Sequence, residues 1–370
     1  MRKICVIILL IPVFSAFFRV SAVNEDYEKY YDEIYSSLQQ SVEDDVWEKI
    51  EDFGFDSFAQ DGIYSDSFDK IGEYFSQCFS DRLSAVGSCF FTLLLILILS
   101  STVKSFGLTE KSINISFLTS AVIVLVTTAN INDVINALLS SMKSASAFML
   151  AYIPVYTVVI SLSGNVSSAL SYNTLTVVFA QGISLLINNL AVDIIGIYLS
   201  LSIAFSFNSM MNLNRFVSAV SRLVNVAIGF VAGLFSSLLT LRGALAVSVD
   251  SAAAKGLKLL LGSLIPVVGS SISDAYSSVV GSISIMKGSV AAIGIAAMLI
   301  ISVPPIIEGG MYCLTFAFLE YIADIMSEKE GGAVLHAISV GLKTVTVVSV
   351  LQVFILIIST GIMLVVKAAV

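Results

Sequence analysis

Charged residues are scarce in this chain of 370 residues, where Asp, Glu, Lys and Arg together make up 12% of the sequence. An average soluble domain carries about 25%. Hydrophobic residues make up 57%, and the mean hydropathy is +0.94. So little charge, combined with apolar runs of about 20 residues, is typical of transmembrane helices. We therefore predict an all-α fold, that of a polytopic helical membrane protein.

The residues that build most catalytic and metal sites are also few. The chain has one histidine, His336, and no two of its four cysteines have the C-x-x-C spacing of a metal site. The phosphate-binding motif G-x-x-x-x-G-K-[ST], the metalloprotease motif H-E-x-x-H and the nucleophile motif G-x-S-x-G do not occur. The sequence thus predicts no catalytic residue, no metal ion and no cofactor, and it favours buried thiols over disulfides.

The charges that are present are unevenly distributed. Residues 23–82 hold 17 of the 27 acidic residues and 4 of the 19 basic ones, a net charge of −13, and the rest of the chain has a net charge of +5. We predict a small acidic helical domain over residues 23–83. Before it, residues 1–22 have the basic start, short apolar core and small final residue of a signal peptide. Cleaved, or retained as an anchor, this segment would place the acidic domain outside the cytoplasm.

Three short helices are expected in the acidic domain. The segment Ser41-Val-Glu-Asp44 resembles a capping box, and the helix after it would bury Val46, Trp47, Ile50 and Phe53 and end at Gly54. About 60 residues make a marginal independent fold. We therefore expect the apolar faces of these helices to pack on a partner, or on one another against the bilayer.

Membrane helices are predicted over residues 84–241, about six of them. The apolar runs lie at 84–103, 113–129, 144–162, 172–191, 194–213 and 223–241. The polar run NINDVINALLSSMK lies between the second and third of these runs. Gly229 and Gly233 form a G-x-x-x-G pattern, which predicts close packing with another helix more than a dimer interface.

The segment 242–287 mixes charged and apolar residues. A charged side chain at the bilayer centre costs about 2.5–3.5 kcal/mol on insertion scales, so Lys255, Lys258, Asp274 and Lys287 cannot all lie in lipid. An amphipathic or re-entrant segment is expected, followed by two or three membrane helices over residues 288–370. Polar groups at membrane depth have to be buried in protein or face water.

Four prolines lie in or near these apolar runs. The tripeptide Ile-Pro-Val occurs at Pro154 and again at Pro266, each time before a serine-rich continuation, and VPPIIEGG contains Pro304, Pro305 and Glu308. Prolines break or kink helices, and transporters place substrate sites at broken helices in their two halves. The candidate channel-lining or hinge residues are therefore Pro154, Pro266, Asp274, Lys287, Pro304, Pro305 and Glu308. For each of them alone, a structural helix stop is the alternative.

This arrangement resembles the stage III sporulation protein AE family of endospore-forming bacteria. The resemblance covers about residues 84–370 and is most specific over 247–305, which begins VSVDSAAAKGLKLLLGSLIPVVGSSISDAYSS. It implies a non-enzymatic subunit of the eight-protein AA–AH assembly, a secretion-like channel in the mother-cell membrane around the forespore. The implied partners are the other subunits, including a separate ATPase, and a forespore membrane protein that meets the acidic domain. No nucleic-acid partner is implied. The alternative is a stand-alone secondary transporter with a substrate site at Pro154 and Pro266.

Overall fold

The computed structural model describes residues 28–55, 63–106, 115–162, 165–186, 229–241 and 269–365, together with the isolated residues 222, 226, 252 and 255. Nearly all of these residues are helical and none of them lies in a strand, which confirms the predicted fold class. The helices are α1 (Glu28–Gln39), α2 (Asp44–Asp52), α3 (Ile63–Ser105), α4 (Ile115–Leu162), α5 (Val166–Leu186), α6 (Gly229–Leu241), α7 (Gly269–Ile325) and α8 (Lys329–Val365). The predicted signal peptide, the predicted span 194–213 and Pro266 lie outside the described residues.

Four of these helices, α3, α4, α7 and α8, are long and apolar enough to cross a membrane. The protein is accordingly a multi-pass membrane protein. At 1.5 Å per residue, the 48 residues of α4 extend over about 72 Å. The hydrocarbon core of a bilayer is only about 30 Å thick. Each long helix therefore combines a membrane-crossing length with a part that lies beyond it.

Two predicted segments continue into their neighbours in the structure. The polar run at residues 130–143 joins the predicted membrane helices 113–129 and 144–162 in one continuous helix, α4. It contains neither proline nor glycine, and its apolar residues recur at the spacing of a helix face and are buried: Ile131, Val134, Ile135, Leu138 and Met142. Similarly, α7 continues through the predicted boundary at residues 287–288 and through the double proline.

The long helices pack side by side around α7. Helices α7 and α8 form an antiparallel hairpin whose turn contains Ser327 at φ 62°. Helix α3 runs parallel to α7 in a constant register, because Tyr74 contacts Ile300 and Arg82 contacts Glu308. Helix α4 packs on α7 and α8 as well, where the Gln352 amide Nε2 donates to the carbonyl of Met142 at 3.0 Å.

The acidic domain consists of α1, α2 and the first part of α3 (residues 63–82). Val46, Trp47 and Ile50 are buried, as predicted, and Gly54 ends this turn at φ 80°. The predicted capping box is wrong, because the N-cap of α2 is Glu43 and makes no side-chain cap. The hydroxyl of Ser41 instead donates to the carbonyl of Leu38 at 2.6 Å, at the end of α1, so it is already used there.

Candidate functional site at a double proline

A polar cleft of about 600 Å³ lies between the acidic domain and the long helices. Its walls come from α2, α3, α4 and α7. Three of the candidate residues predicted from the sequence lie in its wall, namely Pro304, Pro305 and Glu308. The cleft therefore brings these three predicted residues next to residues of α2, α3 and α4.

The double proline leaves two carbonyl groups of α7 without their usual donors. In an α-helix the N–H of residue i donates to the carbonyl of residue i−4, and proline has no N–H. Pro304 therefore leaves the carbonyl of Ile300 unpaired within the helix, and Pro305 leaves that of Ile301. Buried backbone acceptors are almost always paired in native proteins, so donors from elsewhere are expected here.

Hydroxyl groups from two other helices supply the missing donors. Tyr74 of α3 donates its hydroxyl to the carbonyl of Ile300 at 3.3 Å, and Ser141 of α4 donates to the carbonyl of Ile301 at 2.8 Å. Each freed carbonyl thus has its own partner on a different helix. Because both carbonyls are paired in this way, α7 can continue as a helix through Pro304 and Pro305.

An ion pair joins α3 and α7 one turn below the prolines. Arg82 Nη1 lies 3.2 Å from Glu308 Oε2, and the two side chains are 47% and 11% exposed. The Glu308 carboxylate is therefore shielded by protein, whereas the guanidinium reaches water. A pair that is half open to solvent contributes about 0–1 kcal/mol, so it orients α3 on α7 more than it stabilises the fold.

The acidic domain closes the cleft from the side opposite the prolines. The hydroxyl of Ser144 on α4 donates to Glu43 Oε1 at 3.3 Å. The ammonium group of Lys49 lies 5.5 Å from the centre of the Tyr74 ring, and the ring of Phe53 packs edge-on against it at 5.6 Å. Tyr74 is thus held between α2 and the double proline.

The other candidate residues lie elsewhere. Pro154 is exposed on α4, which is unbroken at that position, and Asp274 lies near the start of α7. Lys287 is buried, with 1% exposure, but it precedes Pro304 by 17 residues, or about 26 Å along α7. Gly229 and Gly233 are exposed, and nothing in the described part of the chain lies within 4 Å of a Cβ built at either of them. Their predicted packing against a helix therefore stays a prediction.

Sequence reasoning missed Tyr74, Ser141 and Arg82. Ser141 lay between two predicted membrane helices, and Tyr74 lay in a helix expected to lead to the membrane. No local signal pairs a hydroxyl with a proline on another helix. Arg82 carried the only usable signal, since it is the last charge before the apolar run 84–103.

A second polar cluster lies at the turn between α7 and α8. Glu328 is fully buried, and it accepts hydrogen bonds from Lys104 Nζ at 2.5 Å and from the Ser100 hydroxyl at 2.9 Å. The hydroxyl of Thr119 donates to that of Ser100 at 2.6 Å. This network ties the end of α3 to the start of α8. Within the described part of the chain, no three His, Cys, Asp or Glu side chains are grouped as metal ligands.

Comparison with known proteins identifies the family. The family model described as Stage III sporulation protein AE matches residues 54–367. Stage III sporulation protein AE of Bacillus subtilis (strain 168) is 27% identical over 215 residues, which cover 57% of this chain and 52% of that protein. The match therefore spans about half the length of this curated relative. No solved structure matches the chain. Because the family model covers most of the sequence, including the double proline and the cleft walls from α3, α4 and α7, the chain belongs to the stage III sporulation protein AE family.

Proposed function

We propose that the protein is a non-enzymatic integral membrane subunit of a secretion-like channel between the mother cell and the forespore. The observation that carries this proposal is membership of a stage III sporulation family by a chain with four membrane-crossing helices. The channel would be the AA–AH assembly, in the mother-cell membrane that surrounds the forespore. Energy for transport would come from a separate ATPase subunit.

The acidic domain is the part proposed to meet a partner across the space between the two membranes. Its surface carries exposed carboxylates on α2 and on the first part of α3: Asp44, Asp45, Glu48, Glu51, Asp52, Asp69, Glu73 and Asp81. Such a surface attracts a basic partner and repels an acidic one. A forespore membrane protein with a basic face would therefore fit this domain.

The proposal predicts a sporulation defect. Deletion of the gene in its own host should strongly reduce the number of heat-resistant spores, and a copy expressed in the mother cell should restore it. A copy expressed only in the forespore serves as the matched control and should not restore it. Normal spore numbers in the deletion strain would contradict the proposal.

A second experiment separates a channel subunit from a self-contained transporter. The tagged protein, extracted from sporulating cells in mild detergent, should carry the other AA–AH subunits with it. The purified protein alone, reconstituted in liposomes, should move no solute. Solute flux by the protein alone would favour a secondary transporter instead.

A further inference from the structure

The double proline in α7 has a feature that a simple helix kink lacks. Both carbonyl groups that lose their donors, those of Ile300 and Ile301, are paired with hydroxyl groups of other helices. The continuity of α7 at this point therefore depends on side chains that α7 does not contain. If either hydroxyl moves away, the carbonyl that it pairs with has no hydrogen-bond donor from the protein, because the proline four residues later has no N–H.

The position of one of these hydroxyls depends on the acidic domain. The Tyr74 ring lies against Phe53 and beneath the ammonium group of Lys49, both from the α2 region. Lys70, one turn before Tyr74, donates to the carbonyl of Asp52 at 2.5 Å. Displacement of α2 would remove the contacts that hold the Tyr74 ring over Ile300.

The second hydroxyl lies beside another contact of the same domain. Ser141 is one turn of α4 from Ser144, whose hydroxyl donates to Glu43 at the start of α2. Both hydroxyls that bond to α7 are thus adjacent to residues that bind α2. The docking of α2 and the pairing of the two carbonyls are therefore coupled through α3 and α4.

Water in the cleft can stabilise a second conformation, in which the two hydroxyls have moved away from the carbonyls of Ile300 and Ile301. An unpaired carbonyl facing lipid would be costly, but Pro304 and Pro305 line a polar cleft together with Ser140, Ser141 and Arg82. Water in that space can replace a hydroxyl that withdraws. The Arg82–Glu308 pair is half open to solvent, so it too can separate.

We infer that the Pro304–Pro305 joint is a hinge whose state is set by the acidic domain. When α2 is docked, Tyr74 and Ser141 cap the two carbonyls and hold α7 as one continuous helix. When α2 lifts away, water takes over the carbonyls and α7 bends at the prolines. The inference concerns the chain alone, so it holds or fails independently of membership of a channel.

The test measures the exposure of the hinge with a cysteine introduced at Ser302. Ser302 is 3% exposed, and its hydroxyl lies 4.0 Å from the sulfur of Met298, so Ser302→Cys is a mild change. The native cysteines are replaced first, and the full-length protein is reconstituted in lipid. A second reporter, Ala323→Cys, is fully buried in α7 well beyond the prolines and detects general loosening.

Tyr74→Phe removes the hydroxyl and keeps the ring. It should raise the rate at which a water-soluble maleimide modifies position 302 by about tenfold, as the loss of one hydrogen bond allows. The rate at position 323 should not change. In a Pro304→Ala background the restored N–H pairs with Ile300, so Tyr74→Phe should then have no effect on position 302.

The matched control uses the fact that each hydroxyl pairs with the carbonyl freed by one particular proline. Ser141→Ala should raise the rate at position 302 in the Pro304→Ala background but not in the Pro305→Ala background, since Pro305 frees the carbonyl of Ile301. An equal effect of either hydroxyl in every background would overturn the inference. So would a parallel rise at position 323, or no rise at position 302 in the Tyr74→Phe protein.

Discussion

Of the two hydrogen bonds to the carbonyls freed by the double proline, the one from the Ser141 hydroxyl to Ile301 is the shorter, at 2.8 Å. Ser141→Ala leaves that carbonyl without a protein donor. We expect the free energy of unfolding in detergent to fall by about 1–3 kcal/mol. Ser140→Ala, the exposed neighbour in the same cleft, should change it by less than about 0.5 kcal/mol. Equal losses in the two variants would show that the cap does not stabilise the fold.

Gly294 allows the closest approach between α7 and α4. A Cβ built at this position would lie 2.2 Å from Cζ of Tyr152, a fully buried ring. Gly294→Ala should therefore lower the free energy of unfolding by about 1–3 kcal/mol, because the ring has no room to move. Thermal unfolding in detergent measures this loss.

Gly310 provides the matched control on the same helix. A Cβ built there meets nothing within 4 Å. Gly310→Ala should stabilise the helix by up to about 1 kcal/mol. The same loss at both glycines would mean that helix propensity, and not the contact with Tyr152, decides the effect. The sequence could not distinguish the two glycines, since the difference lies in the ring of another helix.

The buried pair of Lys104 and Glu328 joins two elements, the end of α3 and the start of α8. Lys104→Met would leave the fully buried Glu328 carboxylate without a counter-charge. Removal of one partner from a buried pair costs about 3–5 kcal/mol, and the loss here should lie at the lower end because Lys104 is 31% exposed. Adding Glu328→Gln should recover part of the loss.

Lys329→Met changes an exposed neighbour and is the control for this pair. It should leave the unfolding transition in detergent unchanged. The account of the pair is contradicted if Lys104→Met is as stable as the wild type, or if the double variant is less stable than the single one.

The helical class of each element could be predicted from the sequence, but the continuity of α4 and α7 could not. The apolar runs 113–129 and 144–162 were predicted separately, because hydropathy alone does not show whether the polar residues between them form a loop or a helix with one solvent-exposed face. The buried residues Ile131, Val134 and Leu138 already had helical spacing. This periodicity was the better signal, since no glycine or proline interrupts it.

The double proline shows a different limit of sequence reasoning. Locally, two adjacent prolines favour the end of a helix, and VPPIIEGG was interpreted in that way. The helix continues because Tyr74 and Ser141 reach its carbonyls from α3 and α4. Contacts between residues so far apart in the chain leave no trace in the local pattern. The sequence identified Pro304, Pro305 and Glu308 as functional candidates but not their partners.

Across the whole molecule, two ion pairs join α3 and the α7–α8 hairpin at two levels. Arg82 pairs with Glu308 and Lys104 pairs with Glu328. The 22 residues from Arg82 to Lys104 measure about 33 Å, close to the thickness of the hydrocarbon core. The distance between the pairs therefore matches one crossing of the bilayer, which predicts that the cleft lies just beyond the membrane on the side of the acidic domain.

The Arg82–Glu308 pair provides a test of this arrangement in sporulating cells. Arg82→Glu would place a carboxylate against the shielded carboxylate of Glu308, and like charges repel. Heat-resistant spore counts should fall in the Arg82→Glu strain and recover in part when Glu308→Arg is added. A strain with Arg82→Glu that forms spores normally, while its protein is made at the usual level, would contradict a role for this contact.

The most direct test of the account asks whether the cleft meets water. A single cysteine is introduced at Ser140, on the exposed face of α4 beside the double proline, in a protein without its native cysteines. Leu95→Cys, 60% exposed midway along the apolar run of α3, is the control for a position in lipid. With the protein produced in vegetative cells, where the outer side of the cell membrane faces the medium, a membrane-impermeant maleimide added to the intact cells should modify position 140 and leave position 95 unmodified. Protection of position 140 to the same degree as position 95, or its modification only after the cells are permeabilised, would contradict the account.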